Sequence, residues 1–106
     1  GNPVFIITNV IGIGNLLKEE VELKYLGISQ FCMNGWQILD EDGHRFDFPD
    51  YFQFYSNGAE VRIFSRAGTN TPLELFWGQT KSVWSSGERV HLLDSHGKEQ
   101  SQFSIP

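Results

Sequence analysis

The chain has 106 residues, a net charge of −5, 14% aromatic side chains and one cysteine. That length fits a single domain able to bury a core without metal or disulfide staples; eight Lys and Arg, spread from Lys18 to Lys98, argue against generic binding to nucleic acid or anionic membranes. The lone Cys32 excludes an internal disulfide and a cysteine-rich zinc site, and no apolar run approaches the roughly 20 residues of a membrane span.

In chain order, Val4 to Ile13 is apolar, but Asn9 and Gly12 interrupt it and no basic region precedes it, so it does not read as a signal peptide. The chain begins Gly-Asn-Pro, and residues 1–106 are expected to be one domain cut from a longer protein. NLLKEEVELKYL (15–26) alternates too cleanly in its second half for a helix; at most a short turn is expected near Leu16 to Glu19. VELKY (21–25) is a strand with Val21, Leu23 and Tyr25 on its apolar face. Phe31-Cys32-Met33 makes Cys32 a small buried hydrophobe. WQIL (36–39) and RFDF (45–48) form a hairpin, with Trp36, Ile38, Phe46 and Phe48 inward and Asp40-Glu41-Asp42-Gly43 as its loop.

EVRIFS (60–65) buries Val61 and Ile63 and exposes Arg62. AGTNTPLE (67–74) is the longest irregular stretch, expected to connect two sheets. RVHLLD (89–94) turns Val90 and Leu92 inward and His91 and Leu93 outward, and QFSI (102–105) closes the set. Turn signals at Asp42-Gly43, Asn57-Gly58, Ala67-Gly68, Ser86-Gly87 and His96-Gly97 separate the runs. Many short strands with glycine-bearing turns define an all-β antiparallel sandwich or barrel.

The ordered motifs resemble the lamin tail domain. Glu20-Val21-Glu22-Leu23-Lys24 is similar to that family's E-x-V-E-L-K-N strand, and Met33-Asn34-Gly35-Trp36-Gln37-Ile38 to its L-S-G-W-x-L motif, followed by an acidic-Gly turn and Phe48-Pro49. Asn57-Gly58-Ala59-Glu60-Val61 resembles P-G-E-x-V. Trp77-Gly78, the run from Trp84 through Gly87-Glu88 to Leu92, and Asp94 to Gly97 resemble W-G…W-N-N-x-G-D-x-V-x-L-x-D-x-x-G. Tyr25 stands where the family has Asn, and Ser85-Ser86 where it has Asn-Asn. The resemblance implies an immunoglobulin-like β-sandwich that is not an enzyme and needs no cofactor. It also implies an interaction or anchoring role toward a protein partner or a neighbouring domain of the same chain. The setting it implies is extracytoplasmic or the cell envelope of a prokaryote, with the nucleus as the alternative.

Within that frame Trp36 is expected to pin the core. Among the polar residues, Asp40 and Asp42 are the candidate cation ligands, although the run lacks the spacing of an EF-hand. His44, His91 and His96 do not have the spacing of a helical zinc site. There is no G-x-S-x-G elbow, and GIGN (12–15) lacks the Lys of a phosphate loop. Tyr51, Tyr55, Phe76 and Trp77 are the aromatics least plainly inward, and aromatics on loops can bind sugars or proteins. A carbohydrate- or calcium-dependent surface-binding module is the alternative function.

Overall fold

The computed structural model describes residues 4–106, and it is built entirely from strands and turns. One sheet runs β1 (Phe5–Ile11), β2 (Glu20–Tyr25), β7 (Glu60–Phe64), β8 (Glu74–Phe76). The other runs β10 (Glu99–Ser104), β9 (Arg89–Leu93), β4 (Gln37–Leu39), β5 (Arg45–Asp47). A two-stranded ribbon, β3 (Phe31–Cys32) with β6 (Gln53–Phe54), completes the set. All neighbours pair antiparallel except β7 and β8.

Alternation explains the layering. Ile7, Val21, Leu23, Val61, Ile63 and Leu75 from the first sheet meet Ile38, Phe46, Val90 and Leu92 from the second in one core. This is an all-β sandwich, as the strand pattern predicts. The aromatics form its spine. Phe5 lies 5.0 Å from Trp36 and 5.3 Å from Phe54 between ring centroids, and Trp77 lies 5.9 Å from Trp84. Rings at these separations contribute about 0.5–1.5 kcal/mol per pair beyond their buried area.

The predicted strands appear with ends shifted by one to three residues, and the turn before β2 is present: Lys18 and Glu19 N–H groups both donate to the Asn15 carbonyl. Gly35 shows why a glycine precedes Trp36. Its φ is 79°, and a Cβ there would lie 2.9 Å from the Ser95 Cβ. That backbone is comfortable only for glycine.

Two expectations are corrected. Cys32 is exposed, not buried. Phe31 turns toward Phe5 and Trp36, so strand alternation sends its neighbour outward. The 67–74 stretch does not join the two sheets. It links β7 to its parallel neighbour β8 within one sheet, and Arg66 from its start stacks over Phe64 and Phe76, 5.1 and 5.0 Å from the ring centres.

The sheet margins are occupied. Along β8 the Glu74 N–H and carbonyl and the Phe76 N–H are taken by its own loop. Glu74 N–H donates to Thr71 Oγ1, Thr71 N–H to the Glu74 carbonyl, and Phe76 N–H to Asn70 Oδ1. β1 packs beside β10, with Ile7 N–H donating to Ser101 Oγ. β5 is three residues long, carries the exposed charges Arg45 and Asp47, and gives its Arg45 carbonyl to Trp77 Nε1. Short, charged or covered edges resist pairing with another chain.

Candidate functional site

The β4–β5 hairpin delivers Asp40 to the end of β4, where its side chain turns inward and is fully covered. Asp40 Oδ1 accepts the N–H groups of Asp42 and His44 at 3.0 and 2.7 Å, and Oδ2 meets His44 Nδ1 at 2.5 Å. A carboxylate bonded in this way holds the turn shut. Next to it lies Glu88, from the turn before β9, whose Oε1 accepts the Ser85 N–H at 2.7 Å. Asp40, Asp42 and Glu88 each bring a carboxylate oxygen within 4.8 Å of the others. Glu41 reaches across the same junction and accepts the Arg89 N–H.

The structure thus brings the two predicted ligands together and adds a third acid that sequence reasoning missed. Glu88 lies far along the chain, and its only trace in the sequence is the acidic residue after Gly87. Three oxygens are few for a calcium ion, which takes 6–8. Asp40 is also engaged by its own turn, through two backbone N–H groups and His44.

Burial pushes the Glu88 carboxyl above its ordinary value of 4.5, helped by the charges of Asp40 and Asp42 and opposed by hydrogen bonds from the backbone. The folded state therefore holds the proton more tightly than the unfolded chain. The resulting stabilisation is complete below 4.5 and is lost as pH rises through the folded-state value. Glu88→Gln keeps an acceptor for Ser85 and carries no charge. We expect it to melt at or above the parent temperature at neutral pH and to gain less on acidification, in melts recorded between about pH 7.5 and about pH 4.5. A variant with the parent's full pH dependence would contradict this assignment.

The histidines are separated. His44 pairs with Asp40, His91 pairs with Glu99 and lies 3.8 Å from Glu41, and His96 sits in the exposed turn after β9. That turn is closed by Asp94, whose Oδ1 accepts from His96 and Lys98 N–H groups. These bonds, the Lys98 one foremost, hold the Asp94 carboxyl below its usual range.

Three surfaces remain. A shallow groove of about 510 Å³ lies over Glu60, Arg62, Thr71, Leu73 and Glu74, with Arg62 held 3.8 Å from Glu20. A smaller cleft of about 280 Å³ runs between the 49–55 turn and the 70–75 segment, walled by Tyr51, Tyr55 and Pro72. The third is the outward side of β1 and the turn after it, where Val4, Ile6, Ile11 and Ile13 are each more than a third exposed. Of the four doubtful aromatics, Tyr51 and Tyr55 project into solvent, whereas Phe76 stacks on Phe64 and Trp77 packs against Phe46 and Trp84.

The chain matches no family model and no curated protein. No described helix is long and apolar enough to cross a membrane.

Proposed function

We propose that this chain is a lamin-tail-like, immunoglobulin-type sandwich that acts without catalysis, as an interaction or anchoring module within a larger protein. The family likeness is supported by the positions of its signature residues. Trp36 and Trp84 are both core side chains, and Gly35 and Gly87 beside them both take left-handed backbone. An extracytoplasmic or envelope setting, with the nucleus as alternative, rests on that likeness alone.

The observation that carries the interaction role is the apolar side of β1. Val4, Ile6, Ile11 and Ile13 keep β-branched side chains in water, and Leu17 on the following turn is 72% exposed. Part-exposed apolar side chains recurring along one strand, with Thr8 and Asn9 between them, favour a contact surface. Because the sheet edges are covered, the partner is engaged by side chains and not by strand addition.

Cysteine labelling tests this. In a Cys32→Ser background, Ile6→Cys and Ile11→Cys should react with a maleimide rapidly in the isolated domain. Labelling should be at least about tenfold slower in the longer parent protein or its native assembly, as expected where a bound surface opens rarely. Equal rates in both settings would refute docking through β1.

A further inference from the structure

We propose that the cleft beside Tyr51 binds a neutral saccharide, with the Tyr51 ring as its stacking platform. This site lies apart from β1 and does not depend on the lamin-tail likeness.

Tyr51 is the first observation. Its φ is 66°, and every other described residue with positive φ is a glycine. For a bulky L-residue that conformation is an outlier that costs energy. The turn itself needs no tyrosine there. Glycine or asparagine would adopt the same backbone more easily, and the ring contributes little packing because the residue is 77% exposed. The conformation is nonetheless pinned: Tyr51 N–H donates to Asn34 Oδ1 at 2.5 Å, and Phe52 N–H donates to the Pro49 carbonyl. A side chain kept at a conformational cost, without burial to offset it, is one whose exposed face is used.

The second observation is the chemistry of the walls. Tyr55, 68% exposed, and Phe52 add two further aromatic side chains to the cleft. Asp50 and Gln53 line the cleft on the tyrosine side, and Asn70 and Thr71 line it on the other. Asn70 uses Oδ1 to accept the Phe76 N–H and so retains its amide N–H donors. Thr71 Oγ1 accepts the Glu74 N–H and retains its hydroxyl proton. Asp50 supplies an acceptor. The cleft thus offers both donors and acceptors beside aromatic side chains. That combination complements a pyranose ring, which has an apolar C–H face and a rim of hydroxyls that both donate and accept.

Charge narrows the class. The one charged wall residue is Asp50, and the chain carries −5 overall, which repels sulfated, sialylated or phosphorylated ligands. The Asn70 and Thr71 wall is fixed to β8 by the bonds just described, so little ordering is required on binding.

The experiment titrates the ¹⁵N-labelled domain with cellotetraose, chitotetraose and a mannose tetrasaccharide. A heparin tetrasaccharide and a proline-rich decapeptide serve as rivals, the peptide because extended proline helices also dock on exposed aromatics. The expected result is that one neutral sugar shifts the amide signals of residues 50–55 and of Asn70, Thr71 and Leu73. Tyr51→Asn should melt at or above the parent temperature and bind that sugar at least about tenfold more weakly, a loss of about 1.4 kcal/mol. Tyr55→Ala should weaken binding without unfolding. The proposal is overturned if none of the neutral sugars shifts the cleft at millimolar concentration, or if only the peptide or the heparin fragment does so. It is equally overturned if Tyr51→Asn binds like the parent or melts well below it.

Discussion

Trp36→Ala should destabilise the domain by about 3–5 kcal/mol, the range for truncating a large buried aromatic. Trp36 immediately precedes β4, where the two sheets and the ribbon meet. Its ring lies 5.0 Å from Phe5 of the first sheet and 5.3 Å from Phe31 of the ribbon, the latter edge-on. Its N–H donates to the Met33 carbonyl, and its own carbonyl accepts from Phe48, so the backbone is fixed and cannot close over a void. Domains of this size hold about 5–15 kcal/mol in total, so the loss corresponds to a fall in Tm of at least about 12 °C. Trp36→Phe, which keeps a ring in the junction, should lose much less. Thermal melts of both variants decide the matter; an alanine variant melting within a degree or two of the parent would show that the junction is not pinned here.

The second large effect is expected at Glu19. This carboxylate is wholly buried. Oε1 accepts the Val83 N–H, and Oε2 accepts the Gly14 N–H at 3.2 Å. Its carbonyl accepts from Ser65. One residue thereby joins the turn after β1, the end of β7 and the segment leading into Trp84. Glu19→Ala strips acceptors from two backbone donors; the Gly14 N–H is exposed and turns to water, whereas the buried Val83 N–H is left without a partner, at a cost of about 1–3 kcal/mol. Glu19→Gln returns one acceptor oxygen but sets an amide N–H₂ against the other donor, and should fall between parent and alanine. Urea denaturation measures both, and an alanine variant with the parent's midpoint would show that water replaces the carboxylate.

The contrast between Trp36 and Glu19 shows what could be read from the chain and what could not. Trp36 stands in a period-two run beside a glycine, and period and burial agree. Glu19 stands in Lys18-Glu19-Glu20, where charge density reads as a solvated turn. Only partners distant in the chain, at Val83 and Ser65, make it interior. The missed strands have similar causes. β1 shifts register between Ile7 and Asn9 and faces apolar residues both ways, so alternation fails over Val4 to Ile13. β3 and β6 are two residues long, too short to carry a period. β8 begins two residues after Pro72, at the last residue of the 67–74 stretch read as irregular. At the acidic turn the sequence names Asp40 and Asp42 because they are neighbours, but Glu88 joins them through strand pairing. Tyr51 is an ordinary exposed aromatic by composition, and its strained backbone has no signature in Pro49-Asp50-Tyr51.

The seam between β1 and β10 has a consequence for how the domain is made. The first described strand to leave the ribosome waits for the last described one. Until β10 emerges, Ile7 N–H has no Ser101 to bond and the β1 margin of the first sheet is bare. Contacts so distant in sequence slow folding, and synthesis delivers them at only about 5–20 residues per second. The nascent chain therefore carries a half-sheet with an open apolar margin for seconds. Closure of this seam waits until β10 has emerged.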